Sequence, residues 1–540
     1  MRKKLRVPML GALIVSAALV AIAQGGTRTG GAFDFERVGA QADTTAPAPD
    51  DTLSITASIP YLGGYGTGEA YVYLADAHSA ITNPVIVAEG FDINNDMNWV
   101  ELYHLLNQEE LLETLRADGY DAIVLNFTES TDYLQRNAFV VVELLAQVQS
   151  LIDPGADIAL AGASMGGLVS RYALAYMETN GPAHRVRTFI SFDSPHGGAN
   201  IPLGVQYWLD FFSGQSPDAA YNLQRLDTPA ARQMLVYHHT DPPGTTGESD
   251  PMRADFLADL AAVGGWPSQP RLVAVANGSG VGTGQGYAAG AQVIDYEYAA
   301  PLTNIRGNVW SVPDAAGTTI FDGYIQVLIP LASLQVTVSG TRPFDSAPGG
   351  FRNTLADMDS TEAPYGDITA LYPNHCFIPT VSALALDTAD PLYDIDGDPD
   401  LLSHTPFDAV YYPSENQEHA TITAENKQWF LSEVMWSPTG VSPTRRSGPG
   451  VVLHPNIPNP FNPTTTIRFT LARAANVTLT VYDAAGRRVA ELLDGRAPAG
   501  TSRVTWNGDD GAGRLVSSGV YFLRLDAEGI VLNQKMVMLK

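Results

Sequence analysis

The segment that most constrains this chain runs from Asp157 to Tyr172. Ile158-Ala159-Leu160-Ala161 is a short apolar run that ends in Gly162-Ala163-Ser164-Met165-Gly166. Leu168, Val169, Tyr172, Ala173 and Tyr176 then follow with helical spacing. A strand that passes at once into a helix must turn within a few residues. Glycine is required wherever a Cβ would collide with neighbouring backbone, so Gly162 and Gly166 mark the turn and Ser164 its tip. The spacing predicts a serine lifted outward at the end of a strand. The Met165 N–H, at a helix N-terminus, would face any oxyanion forming there. A Gly-rich turn with an incidental serine is the bland alternative, and the strand before and helix after weigh against it.

With 540 residues, two to four domains are expected. The net charge of -27 and pI near 4.6 disfavour nucleic acid and anionic membrane as partners. The one cysteine, Cys376, cannot form an intrachain disulfide and reads as a packed thiol. Arg2, Lys3, Lys4 and Arg6 precede an apolar run that closes on Ala21-Ile22-Ala23. This reads as a secretory signal peptide over 1–23, with a flexible leader over 24–51 rich in Gly, Thr, Ala, Pro and Asp. No later stretch is apolar enough to span a bilayer. The mature protein is therefore expected to be exported and soluble, without a transmembrane segment.

Along the chain, strands are expected at 53–59 and 69–74, then a buried one in Asn83-Pro84-Val85-Ile86-Val87-Ala88. A helical pattern runs through Leu102, Leu105, Leu106, Leu111, Leu112 and Leu115. A strand at 121–127, a helix at 139–151, the Ser164 turn, and strands at 187–193 and 271–276 follow. This alternation predicts an α/β domain over 52–436 with a doubly wound, mostly parallel sheet. Between 197 and 265 the pattern breaks into short amphipathic pieces, read as a cap over the site or a plain helical insertion. From 278 to about 350 alternating apolar residues predict an antiparallel β insertion. A linker at 437–450 separates this domain from 451–540, where period-2 strands and Gly turns predict a small all-β, immunoglobulin-like sandwich.

A serine hydroxyl needs a base to attack near neutral pH. His184, His196, His238, His239, His375, His404, His419 and His454 follow Ser164. His419 lies in a polar loop directly before the closing helix, where a base that follows the last strand belongs. A second oxyanion donor is expected from the turn after the first parallel strand, which makes the Phe91 N–H the partner of the Met165 N–H. The remaining role is the acid that orients the histidine. Asp387, after the apolar run 377–386, is placed first because a strand would deliver it to the carboxyl edge of the sheet. Asp408 comes second, provided that Val410-Tyr411-Tyr412 is a loop and not the final strand. Asp193, ending the strand after the serine, comes third and also fits a turn role.

Glu89-Gly90-Phe91, the stretch from Gly162 to Tyr172, Ser194-Pro195-His196-Gly197-Gly198-Ala199 and His419 together resemble the lipase and esterase branch of the α/β-hydrolase superfamily. The resemblance covers roughly 53–436 and rests on motifs. It implies a Ser-His-Asp triad, an acyl-enzyme, an ester or lipid-like substrate and no cofactor. Glu89 stands where that branch usually has a histidine. Asn374-His375-Cys376 replaces the branch's acid-bearing Asn-Asp-Gly ahead of Ser382-Ala383-Leu384, so the acid must lie elsewhere. Asp394, Asp396, Asp398 and Asp400 could gather around Ca²⁺, but Pro399 stands where an EF-hand-type loop wants Gly, and a solvated acidic loop is the competing reading. No other metal is expected.

Asn456-Ile457-Pro458-Asn459-Pro460-Phe461-Asn462-Pro463, Val481-Tyr482-Asp483-Ala484-Ala485-Gly486, Ser518-Gly519-Val520-Tyr521-Phe522 and the ending Lys535-Met536-Val537-Met538-Leu539-Lys540 resemble type IX secretion C-terminal sorting domains. That resemblance implies the secretion machinery as a partner and a secreted or surface-attached protein. The expectation is thus an exported serine hydrolase of carboxylic esters. An exported peptidase or amidase on the same scaffold, or a non-catalytic surface binding protein, are the alternatives.

Overall fold

The computed structural model describes residues 46–540 apart from 93–94, 96, 182, 241–248, 314, 361–366, 437–446, 449–450, 454–455, 457, 460, 472, 484–486, 499, 512, 528–529 and 540. The expected signal peptide, most of the leader, most of the linker and His454 lie outside the described residues. Two compact units separate between Val434 and Met435.

The first unit is built on an eight-stranded sheet. Its strands are β1 (Asp51–Thr56), β2 (Thr67–Tyr73), β3 (Pro84–Ala88), β4 (Asp121–Phe127), β5 (Ile158–Ala163), β6 (Val186–Phe192), β7 (Arg271–Val275) and a last one at Ala409–Tyr411. Their spatial order is β1-β2-β4-β3-β5-β6-β7 and then the last strand. β1 and β2 are antiparallel, while β4 through Ala409–Tyr411 run parallel. Side chains alternate across this sheet, as the strand pleat requires. Ile86, Ile123, Leu160, Phe189 and Ala274 face the helices Leu134–Leu151 and Met165–Asn180. Val87, Val124, Ala161, Ile190 and Val273 face the opposite layer, which holds Leu102, Leu112, Leu115, Phe430 and Val434. With both faces covered, the strands read as continuous apolar runs.

The helical pattern expected through 102–115 is broken in two, Trp99–Leu106 and Leu111–Ala117. Glu109 and Glu110 adopt left-handed backbone (φ 53 and 57) between them, which an α-helix cannot accommodate. Among the described residues, the stretch 197–265 forms four short helices, Leu203–Phe212, Pro217–Leu226, Pro229–Met234 and Pro251–Ala262. The β insertion is an antiparallel sheet made of β8 (Gln292–Asp295), β9 (Glu297–Ala300), β10 (Thr303–Trp310), β11 (Thr318–Val327) and β12 (Ile329–Val338), with a short edge strand at Thr369–Ala370.

Within the second unit, two four-stranded antiparallel sheets enclose Phe469, Leu479, Val481, Trp506, Leu523, Leu525 and Met536. The period-2 pattern points to strands near 466–471, 477–482, 501–506, 520–525 and 531–539, but Ser447–Gly448, within the expected linker, Val451–Leu453 and Arg488–Ala497 are strands as well; in the last, Asp494-Gly495-Arg496 interrupts the alternation. The chain therefore joins a mostly parallel α/β core with a β-rich insertion to a small antiparallel sandwich.

Candidate active site

Strand β5 ends on Ala163 and the helix Met165–Asn180 starts after a single intervening residue. Ser164 alone makes the turn, with φ 53 and ψ -123, a conformation that side-chain-bearing residues rarely adopt. The strain is tolerated because the backbone around it cannot be arranged otherwise. A Cβ on Gly162 would fall inside the Gly166 carbonyl and the Gly167 amide, and one on Gly166 would strike the Ala88 and Glu89 carbonyls. The turn after β3 comes equally close: a Cβ on Gly90 would sit 3.1 Å from the Ser164 Cβ.

Ser164 Oγ lies 2.8 Å from His419 Nε2, and His419 Nδ1 lies 2.7 Å from Asp193 Oδ2. Asp193 and His419 are both almost fully buried. A carboxylate only accepts, so Nδ1 carries the proton and Nε2 accepts from the serine hydroxyl. Asp193 is anchored on its other side, where Oδ1 accepts from the Asn277 N–H at 3.0 Å. The Asn277 side chain donates to Gln417 Oε1 and to the Thr421 carbonyl, both at 2.8 Å, and so holds the loop that carries the histidine. The His419 N–H donates to the Phe351 carbonyl at 2.9 Å, and the Phe377 ring meets the imidazole edge-on with centroids 4.9 Å apart. Burial lowers the pKa of His419, the Asp193 bond opposes that shift, and the Arg352 charge adds to it. The ring is therefore held in its neutral form.

The acid beside the histidine is Asp193, the third choice of the sequence reading, and neither Asp387 nor Asp408. The apolar run 377–386 does not enter the main sheet. Its first part pairs antiparallel, as His375–Pro379, with Gly349–Arg352, and the rest is a short helix, Thr380–Ala383. Asp387 is consequently exposed, 2.9 Å from His404 Nδ1. Asp408 precedes Ala409–Tyr411, which is a strand parallel to β7. That puts Asp408 at the amino edge of the sheet, where Oδ2 accepts from the Leu272 N–H at 2.9 Å. Asp193 directly follows β6, next to β5, and so shares the carboxyl edge with Ser164. A Cβ on Gly350 would overlap its Oδ2.

The other histidines are occupied elsewhere. His196 is buried, 2.7 Å from Ser191 Oγ, and its ring lies 4.9 Å from that of Trp266. His184 contacts Glu178, and His375 contacts Thr354 and the Cys376 carbonyl. Cys376 is buried and its thiol pKa is raised by that burial. In the acidic loop, Asp394 accepts from Gly397 N–H, and Asp398 accepts from Tyr393 hydroxyl and Asp400 N–H. Those carboxylates cap their own turn.

Two cavities open beside Ser164. One, of about 860 Å³ including open solvent, passes Phe91 and His419 and runs between the sheet and the helices that contribute Leu102, Leu106 and Leu112. The other, of about 500 Å³, lies under the short helices and is lined by Leu226, Met234 and Leu235. Phe91 and Arg352 border both. Their walls are mostly apolar, and the charged side chains among them are Glu89, Asp92 and Arg352. Glu89 is buried in the wall of the larger cavity; one carboxyl oxygen accepts from the Phe127 N–H, and the other has no hydrogen-bond partner among the described residues. Burial pushes its pKa well above the usual carboxylate range, which favours the neutral acid. Nothing in the sequence signalled this beyond a carboxylate inside an apolar strand end.

Comparison with known proteins agrees with this layout in two segments. Residues 132–212, from the helix before β5 to the end of the helix Leu203–Phe212, match the family described as "Putative serine esterase (DUF676)". Residues 459–529 match the "FlgD Ig-like domain" family. No curated protein matches the chain at a significant level. Among solved structures, Est1E from Butyrivibrio proteoclasticus is 19% identical over 26% of this chain and 50% of its own, with a TM-score of 0.20. Latent PorU from Porphyromonas gingivalis is 23% identical over 17% of this chain and 10% of its own, with a TM-score of 0.15. PorZ of the same organism, a surface component of the type IX secretion system, is 21% identical over 16% of this chain and 11% of its own, with a TM-score of 0.13. The chain thus spans half the length of Est1E and about a tenth of PorU and PorZ. No described helix is long and apolar enough to cross a membrane. The α/β unit thus holds a segment that matches a putative serine-esterase family, and the C-terminal sandwich holds one that matches the FlgD Ig-like family.

Proposed function

We propose that this protein is an exported serine hydrolase that cleaves carboxylic esters with an apolar moiety. The observation that carries the reading is the hydrogen-bonded chain Ser164–His419–Asp193 at the junction of two apolar cavities. Ser164 Oγ attacks the ester carbonyl while His419 Nε2 takes its proton. Asp193 holds the ring in the required tautomer and stabilises the imidazolium. The Met165 N–H, at the start of a helix, and the Phe91 N–H, in the turn against Ser164, receive the oxyanion. Collapse expels the alcohol, which receives the proton from His419. Water then enters by the same route in reverse and frees the acid.

The apolar walls beside the serine favour ester over peptide substrates, since a peptide brings backbone amides that need partners. The module 451–540 is assigned to export through a secretion machinery and plays no part in the chemistry. The test is a fluorophosphonate label mapped by peptide mass spectrometry, followed by a panel of nitrophenyl esters of increasing acyl length beside peptide amides. Labelling at Ser164 with ester turnover supports the reading. Labelling with amide turnover alone would move it to a peptidase, and no labelling would leave a binding protein.

A further inference from the structure

The turn between the helices Pro217–Leu226 and Pro229–Met234 presents Asp227 to two adjacent histidines, His238 and His239. We propose that Asp227, His238 and His239 form a binding site for a divalent metal of the zinc class, which ties together the wall of the smaller cavity. Asp227 Oδ1 lies 3.5 Å from His238 Nε2 and 3.4 Å from His239 Nε2. The ligand atoms of all three lie within 4.8 Å of one another. Ligands held at about 2.0–2.2 Å in a tetrahedron stand roughly 3.3–3.6 Å apart, so two edges of such a shell are already set. Two imidazoles and one carboxylate suit zinc, whereas calcium and magnesium favour shells of oxygen.

The surroundings supply what a ligating histidine needs. His238 Nδ1 faces Thr240 Oγ1 at 2.7 Å, an outer hydrogen bond of the kind that orients a metal-bound ring. His239 Nε2 is buried and has no hydrogen-bond partner among the described residues. Three contacts compete with this ligation, and each can yield. The Leu226 carbonyl is 3.1 Å from His238 Nε2. Metal binding there moves the ring proton to Nδ1, where Thr240 Oγ1 accepts it, and the Thr240 N–H, which donates to Nδ1 at 3.3 Å in the metal-free site, gives up that bond to solvent. Arg232 Nη2 lies 3.2 Å from Asp227 Oδ1, but its Nη1 is 3.0 Å from Asp250, which keeps the guanidinium paired when the metal takes that oxygen. Water completes the shell. Leu226, Met234 and Leu235 line the cavity beside Ser164. A metal joining 227 to 238–239 therefore clamps both ends of that wall.

The experiment uses the full chain, stripped with a chelator, incubated with Zn²⁺ and passed through a desalting column. Metal is then quantified by mass spectrometry for the wild type, Asp227→Asn and His239→Gln. The expected result is one bound equivalent in the wild type and binding weakened at least about ten-fold in each variant. A wild type that retains no zinc, or folded variants that bind as the wild type does, would overturn the site. Circular dichroism reports whether the variants fold. If they do not, X-ray absorption on the zinc-loaded wild type decides: a four-coordinate shell with imidazole scattering at about 2.0–2.1 Å supports the site, and a six-oxygen shell sinks it. None of these readouts depends on hydrolysis.

Discussion

The turn at Ser164 and the stretch 375–420 are both apolar runs followed by polar chemistry, yet they work in opposite ways. The Ser164 turn is complete in itself: strand, glycines, serine and helix are contiguous, and their sterics reduce the choices to one. The 375–420 stretch has no fixed meaning until it packs. Its apolar run pairs with Gly349–Arg352 instead of joining the main sheet, and this alone strands Asp387 at the surface. His419 reaches Ser164 across 255 residues of sequence, and Asp193 reaches His419 across 226. A local motif announces its residue, while an assembled site announces only what kinds of residue it contains.

The largest effect should come from the local half. Ser164→Ala is expected to lower kcat by about a million-fold and to abolish fluorophosphonate labelling, because the remaining groups cannot act without the nucleophile. Labelling that survives at another serine would end the assignment.

Next comes the assembled half. In Asp193→Asn the amide oxygen is expected to stay on the Asn277 N–H, turning the NH₂ towards His419 Nδ1. That forces the wrong tautomer and should cost about ten-thousand-fold in kcat with little change in melting. Asp387→Asn and Asp408→Asn should each stay within about three-fold, since neither touches the histidine. Near-normal kcat in Asp193→Asn with collapse in Asp387→Asn would reverse the comparison.

Gly350→Ala probes the same half without altering any polar group. Its new methyl would occupy the place of Asp193 Oδ2, and an acid displaced by about 1 Å should cost on the order of a hundred-fold in kcat. Unchanged kinetics would mean that the Asp193 site relaxes freely.

The pH profile reads the environment of the base. His419 is lowered by burial from its ordinary value of 6.5, so the neutral base persists below that pH. The ascending limb of kcat/KM should therefore have an apparent pKa under about 6.5; a limb above 7 would argue that Asp193 outweighs burial. The smallest effect is expected from a chain ending near residue 437. The first unit has its own core, so the truncated protein should fold and keep ester turnover within about two-fold. Unfolding on truncation would show that the boundary lies elsewhere.

The sequence by itself determined the alternating strands and helices, the serine at the turn and the histidine before the closing helix, because each follows from period, glycine placement or chain position. It determined the sandwich in the same way, through period-2 alternation. Asn277, Gly350 and Arg352 carried no such signal, and Glu89 was marked by its place in the turn but not as a buried carboxyl. Their importance comes from contacts made by residues distant in the chain. The tertiary structure decided which carboxylate lies beside His419. Neighbouring strands β5 and β6 end together, so the residue just beyond β6 arrives beside Ser164, whereas the apolar run before Asp387 finds its hydrogen-bond partners outside the sheet. Backbone donors and acceptors must be satisfied somewhere, and hydrophobicity along the chain does not say where.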